Sequence, residues 1–181
     1  MLIWTFRSKT PWVDLGYIRP KSWIITILVG LVLGVGFKLL MKTIVMPLLG
    51  ANVINSTYHF LSGNKPMLPA ALFFMIVAGL SEETVFRGFL FERFGKILRR
   101  SFWTKTLIVF ITAGIFGLGH LRDQGIVGFE QATIVGLVYG IIYAKTRQIW
   151  MLIVAHAVFD ISAVIIIYLN IESEVAHYFF K

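Results

Sequence analysis

Five stretches of mainly apolar residues follow one another along the chain, and short polar or charged segments separate them. A helix needs about 20 mainly apolar residues to cross the core of a bilayer. The stretches lie at 23–40 (continuing to about 49), 67–91, 102–120, 126–144 and 149–169. This pattern predicts an all-α fold, a polytopic membrane helix bundle with about five transmembrane helices.

The composition strengthens the prediction of a membrane protein. Of the 181 residues, 57% are hydrophobic and only 14% are charged, whereas a soluble domain carries about 25% charged residues. The absence of cysteine excludes a thiol nucleophile, thiolate metal ligands and disulfides. We expect residues 1–22 to form an interfacial N-terminal segment before an uncleaved first span, and residues 23–181 to form a single membrane-embedded domain.

The positive charges predict the orientation of the bundle. The net charge is +8, but Lys and Arg lie between apolar runs, so no nucleic-acid partner is expected. From the N-terminal segment to the tail, the successive polar segments carry four, one, five, one, two and one Lys or Arg. The positive-inside rule then predicts a cytoplasmic N-terminus and a C-terminus outside, in the plasma membrane if the protein is bacterial. We expect 88–100 to be a basic amphipathic extension of span two. Lys38 and Lys42 lie one turn apart near the far end of span one and could snorkel to the interface.

Six ionisable residues lie at membrane depth in three of the predicted spans, where such residues are costly and therefore candidates for function. They are Glu82, Glu83, Arg87, His120, His156 and Asp160. Glu83 and Arg87 are four residues apart and share a helix face, so they can pair. Glu82 is rotated by about 100° from Glu83 and lacks this partner, which makes it the candidate general base.

The two histidines have neighbours at helical spacing. His156 and Asp160 are four residues apart and face one way, as do Phe116 and His120. Gly117 and Gly119 leave room beside His120 for another helix or a substrate. Such polar pairs can also serve only as packing contacts between helices. For Glu130 and Gln131 we expect either a contact of that kind or a position at the lumenal end of the span. His59 and His177 receive no role.

Three motifs together resemble those of one protease family. SEETVFRG at 81–88, FGLGH at 116–120 and HAVFD at 156–160 match the patterns Glu-Glu-x-x-x-Arg, Phe-x-x-x-His and His-x-x-x-Asn or Asp. These patterns are typical of the CPBP family of CAAX proteases and bacteriocin-processing proteins, described as intramembrane glutamic endopeptidases. The resemblance covers roughly 68–169 and leaves the first span outside.

The resemblance implies a role for each matching residue. Glu82 with His120 would activate a water, and His156 with Asp160 would line the oxyanion site. Glu83, Arg87 and Phe116 would support the motif helices. Asp160 stands where many members have Asn, and an ionised Asp cannot donate to an oxyanion. In a flat, untilted bundle, Glu82 lies about 22 Å from the outer end of span two, whereas His120 lies about 27 Å from the inner end of span three. Because these distances start at opposite faces of the membrane, the two residues would lie at different depths and would not meet.

The expected activity is hydrolysis of a peptide bond in a membrane-associated, hydrophobic or lipidated substrate, with membrane lipid as the other partner and no cofactor or metal. Two alternatives stay open: a non-catalytic immunity or scaffold protein of the same fold, and a metal-dependent protease with Glu82, His120, His156 and Asp160 as ligands. A small transporter is less favoured, because no pair of broken helices is evident. The sequence leaves the substrate and the oligomeric state open.

Overall fold

The computed structural model describes residues 9–98 and 101–179, and these form helices and connecting loops without strands. Within these described ranges, four helices are long and apolar enough to cross a membrane: α1 (Trp23–Leu48), α2 (Leu68–Ile97), α3 (Phe102–Thr146) and α4 (Ile149–Tyr168). A short helix, α5 (Glu172–Ala176), follows, and 3₁₀ turns occupy Trp12–Leu15 and His59–Leu61. The predicted all-α membrane bundle is confirmed.

The helix α3 is a hairpin of two arms. Gly125 has φ 64° and ψ −161°, a conformation that a side chain would oppose, and the chain reverses there. Gly136 packs on Ala113 and Gly140 on Val109, so the arms run antiparallel. Each arm has more than 20 residues and is roughly 30 Å long. The third and fourth predicted spans are therefore these two arms, which brings the number of membrane-length helical segments to five.

Two of the long helices contain a π-helical stretch. In α1 it is Met41–Val45, between Trp23–Leu40 and Met46–Leu48; in α2 it is Thr84–Leu90, between Leu68–Glu83 and Phe91–Ile97. Such wide turns are frequent at functional sites, and the second begins directly after the acidic pair. The predicted extension of span two is helical to Ile97, whereas Arg99 and Arg100 lie outside the described residues.

Helix α4 is the centre of the bundle. Leu152 and Ala155 are fully buried, because α1 and α2 pack on two sides of α4. A Cβ on Gly79 of α2 would lie 2.7 Å from the backbone nitrogen of Ala157, so the lack of a side chain lets these two helices approach closely. The outward faces of α1 and α2 are apolar and exposed, with Val32 at 74% and Phe73 at 60%, which suits contact with lipid.

The described part of the N-terminal segment, residues 9–22, packs across one end of the bundle, here called the N-terminal end. Leu15 is fully buried, and the Tyr17 hydroxyl lies 2.6 Å from Thr84 Oγ1 of α2. Arg147 donates to the carbonyl oxygen of Asp14 at 2.6 Å. The opposite end, here called the hairpin end, holds Gly125, the loop between α1 and α2, and α5. Along the described residues, the connecting segments therefore alternate between the two ends, as the loop charges predicted.

Candidate active site

The six ionisable residues of the predicted spans gather around His156. Glu82, His120, His156 and Asp160 line one cavity of about 150 Å³, here called the polar cavity. Glu83 and Arg87 lie behind His156, buried to 0% and 1% exposure. Three separate helices, α2, α3 and α4, supply these side chains, so their approach depends on the tertiary fold.

The adjacent glutamates have different surroundings, as their 100° separation on the helix predicted. Glu83 faces the bundle interior, where its Oε1 accepts a hydrogen bond from Arg87 at 2.8 Å. Arg87 also donates to the Gly136 carbonyl oxygen at 3.3 Å. The side chain of Glu82 is 31% exposed, and its Oε2 lies 3.6 Å from His156 Nε2. The predicted Glu83–Arg87 pair is confirmed, and Glu82, which lacks Arg87, has His156 as its neighbour.

Glu83 has a second partner that the local spacing did not reveal. His156 Nδ1 donates to the same Oε1 at 2.7 Å, because a carboxylate can only accept. This bond fixes the ring so that Nε2 faces the polar cavity. There Nε2 lies 3.5 Å from Asp160 Oδ2, so the predicted proximity of His156 and Asp160 is confirmed. Glu83 therefore contacts His156 of α4 in addition to its pairing with Arg87.

His120 is oriented by its own helix. Its Nδ1 donates to the carbonyl oxygen of Phe116 at 2.9 Å, so in the neutral ring Nε2 carries a lone pair and can accept a proton. The Phe116 ring packs edge-on against both His120 and His156, with centroid distances of 4.7 Å and 5.8 Å, and Arg87 lies 5.1 Å from its centroid. Phe116 therefore fixes both imidazoles and the cation behind them.

The expected mismatch in depth between Glu82 and His120 does not occur, because both line the polar cavity. Glu82 follows Leu68, the start of α2, by about 21 Å along the helix, whereas His120 precedes Gly125 by only about 7 Å. The hairpin apex is thus recessed below the start of α2. The expected mismatch was wrong because it assumed that span two and span three begin and end at the same depths in the membrane.

The loop between α1 and α2 covers the polar cavity at the hairpin end. Tyr58 lines the cavity, and its hydroxyl accepts a hydrogen bond from Gln124 Nε2 at 3.3 Å. Burial raises the pKa of Tyr58, so the phenol stays protonated at neutral pH. No sequence signal pointed to Tyr58, because it lies in a loop without a motif.

Lys38 does not lie at the membrane interface, where its place near the end of an apolar run would allow it to snorkel. It lines the polar cavity and is only 7% exposed, so it does not snorkel to the interface. Lys42, one turn further along α1, points to the hairpin end, where its Nζ contacts Val53 O and lies 3.3 Å from Glu172 Oε1. Neither lysine therefore reaches solvent as a free snorkelling side chain.

Among the residues that the structure describes, no three His, Asp or Glu side chains are arranged as a metal site. Gln131 makes the interhelical polar contact expected of it, because its Oε1 accepts from Lys38 at 3.4 Å. Gly117 faces Phe129 and Thr133 of the other arm, so the room beside His120 is used partly by the hairpin itself.

Comparison with known proteins identifies the family. The sequence model of the Rce1-like type II CAAX prenyl endopeptidases matches residues 64–162, which is more than half of the chain and includes all three motifs. Searches of curated proteins and of solved structures found no match. With its long apolar helices the chain is a multi-pass integral membrane protein, and it belongs to the Rce1-like family of type II CAAX prenyl endopeptidases.

Proposed function

We propose that the protein is a glutamate-based intramembrane endopeptidase that uses a water activated by Glu82 and His120. The proposal rests on one observation above all: Glu82 and His120 come from different helices, yet they line the same small cavity with His156. The family match supports protease chemistry, and the cavity supports the assignment of roles to residues.

Water activation follows from the donor and acceptor pattern. Because His120 Nδ1 donates to the Phe116 carbonyl, Nε2 of the neutral ring can accept from a water in the cavity. The Glu82 carboxylate accepts the water's other proton as the oxygen attacks the scissile carbonyl carbon. Glu82 then gives this proton to the leaving amine as the C–N bond breaks, so the carboxylate is regenerated.

His156 is the proposed oxyanion donor. Its Nδ1–H donates a hydrogen bond to Glu83, so a hydrogen bond to an oxyanion has to come from Nε2. The ring must therefore carry both protons during this step. The carboxylates of Glu82, Glu83 and Asp160 around the ring stabilise such an imidazolium. Asp160 then acts through His156, as a positioning residue.

The substrate class follows from the surroundings of the site. The outward faces of the bundle are apolar, so a substrate reaches the cavity from the membrane or its surface. We propose a membrane-associated or lipidated peptide, either a prenylated CAAX-type C-terminus or a hydrophobic leader peptide. We also propose that residues 23–181 act as one protease domain, with 1–22 as an interfacial N-terminal segment.

Cleavage of a library of lipidated and membrane-tethered peptides by the purified protein tests the function. Products are identified by mass spectrometry, with Glu82→Gln beside the wild type. Loss of a general base typically lowers kcat by 10²–10⁴-fold, so Glu82→Gln should be essentially inactive while melting like the wild type.

Glu130→Gln is the matched control, because Glu130 is an acid of the second arm of α3 that does not line the polar cavity. This variant should cleave like the wild type. A wild-type protein that cleaves no member of the library would contradict the proposal, and so would a Glu82→Gln variant that keeps more than about a tenth of kcat.

A further inference from the structure

Lys38 stands at the junction of two cavities. It lines the polar cavity, and it also lines a larger chamber of about 270 Å³ at the hairpin end. The chamber is bounded by α1, the loop that follows α1, the hairpin apex and α5. Lys38 belongs to α1, outside the matched residues 64–162, so this cation is not part of the family's three motifs.

The contacts of Lys38 leave its charge without a bound anion. Its Nζ donates to Gln131 Oε1 at the long distance of 3.4 Å and lies 4.7 Å from the centroid of the Phe159 ring. Among the described residues, no carboxylate oxygen lies within 4.0 Å of this nitrogen. Asp160 lines the same cavity, but its carboxylate faces His156 Nε2. A buried ammonium with three donors and one neutral partner is costly.

Lys42 provides an internal comparison. It lies one turn from Lys38 on the same helix and also borders the larger chamber. Its Nζ forms an ion pair with Glu172 at 3.3 Å, and it donates to the carbonyl oxygen of Val53. Lys42 is therefore satisfied by the protein, whereas the position of Lys38 calls for an anion from outside the protein.

We propose that Lys38, with the amide group of Gln131, binds the free C-terminal carboxylate of the peptide substrate. This inference rests on the proposed endopeptidase function. A peptide whose scissile bond lies beside Glu82 would direct its leaving part toward Lys38 and end there. Glu82 and Lys38 line the same cavity of about 150 Å³, so the leaving part would be a short peptide. Lys38 would then restrict cleavage to bonds close to a C-terminus.

Matched peptides test this specificity. One farnesylated CAAX-type peptide is prepared with a free C-terminal carboxylate, as the C-terminal amide, and as the amide with an aspartate in the leaving part. A charged hydrogen bond corresponds to about a 10- to 100-fold change in affinity. The wild type should therefore cleave the free acid with a kcat/KM about 10- to 100-fold above that of the simple amide.

Lys38→Gln should abolish this preference by lowering kcat/KM for the acid alone, and the loss should be mainly in KM. Lys42→Gln should keep the acid-to-amide ratio of the wild type. Equal rates for acid and amide in the wild type would overturn the proposal. So would a Lys38→Gln variant that loses both substrates equally, because Lys38 would then act on Asp160 or on the fold. If the aspartate in the leaving part restores cleavage of the amide, Lys38 binds a side-chain carboxylate. The proposal that it binds the C-terminal carboxylate is then wrong.

Measurements of peptide binding distinguish a failure of this inference from a failure of the proposed function. The affinities of the acid and the amide are measured for the wild type, Lys38→Gln and Glu82→Gln in detergent, together with thermal melting of each variant. If the wild type cleaves neither peptide, cleavage of a CAAX-type substrate fails as the proposed function, and the binding ratio still decides the role of Lys38. A ratio near one for folded wild-type protein would overturn the carboxylate site.

Discussion

His156 and Glu83 are joined by a hydrogen bond of 2.7 Å between Nδ1 and Oε1, and that same oxygen accepts Arg87 at 2.8 Å. One carboxylate oxygen thus links the proposed oxyanion donor of α4 to the buried cation of α2. The pair lies 73 residues apart in the chain. Because Glu83 only accepts, it holds the imidazole in the orientation that presents Nε2 to the polar cavity.

This link predicts that Glu83 and Arg87 matter for stability. Removing one partner leaves the other charge buried and uncompensated, at a cost of roughly 3–5 kcal/mol. Glu83→Ala and Arg87→Ala should therefore both lower the melting temperature in detergent. Glu83→Gln keeps an oxygen that accepts from His156, so it should retain more activity than Glu83→Ala. If both alanine variants melt like the wild type and yet are inactive, Glu83 belongs to the chemistry and not to its support.

The sequence was sufficient to predict which side chains pair along each helix, because the relevant spacings are local. Glu83 with Arg87, Phe116 with His120, and His156 with Asp160 each lie four residues apart on a helix, and each pair is in contact or close proximity. Helical geometry fixes such pairs before any tertiary contact is known. The lengths of the apolar runs likewise were sufficient to predict a bundle of membrane-spanning helices.

Two features could not be predicted from local spacing. Lys38 was assigned to the interface because a lysine near the end of an apolar helix can either snorkel or be buried, and only the packing of α3 and α4 around it decides. The common depth of Glu82 and His120 depends on how far the break at Gly125 is recessed below the start of α2. Both are properties of the assembled bundle.

The orientation of the bundle can be tested because the chain contains no cysteine. Single cysteines at Asn52, Ser173 and Thr146 place exposed reporters at both ends of the bundle. The charge pattern puts Asn52 and Ser173 outside and Thr146 in the cytoplasm. A membrane-impermeant maleimide should therefore label the first two in intact cells, and Thr146→Cys only after permeabilisation. The reverse labelling pattern would show that the positive-inside prediction is wrong for this chain.

Metal independence is a separate prediction. If Glu82 and His120 activate the water without an ion, cleavage should survive prolonged treatment with a chelator, and the active protein should contain no stoichiometric zinc. The experiment is informative because the Nδ1 bonds to Glu83 and Phe116 would also suit imidazoles that bind a metal through Nε2. An enzyme that loses activity on chelation and regains it with added zinc would instead establish a metal-dependent protease.

The oxyanion role of His156 gives the last prediction. Its Nε2 faces the cavity between Glu82 and Asp160, and loss of one oxyanion donor typically lowers kcat by 10²–10³-fold. His156→Ala should lose activity by about that factor. Asp160→Asn should be tolerated, because the amide has a similar shape and can donate as well as accept. Asp160→Ala should be worse than Asp160→Asn, since it leaves a gap beside the ring.

The three variants are compared on one peptide, with kcat and KM determined separately and melting temperatures measured in parallel. The predicted order of kcat is Asp160→Asn, then Asp160→Ala, then His156→Ala. The opposite result, an inactive Asp160→Asn beside an active His156→Ala, would mean that the charge of the carboxylate is required. Because Asp160 Oδ2 lies 3.5 Å from Nε2, a required charge there would make Asp160 a second base or a metal ligand, and the oxyanion role of α4 would have to be withdrawn.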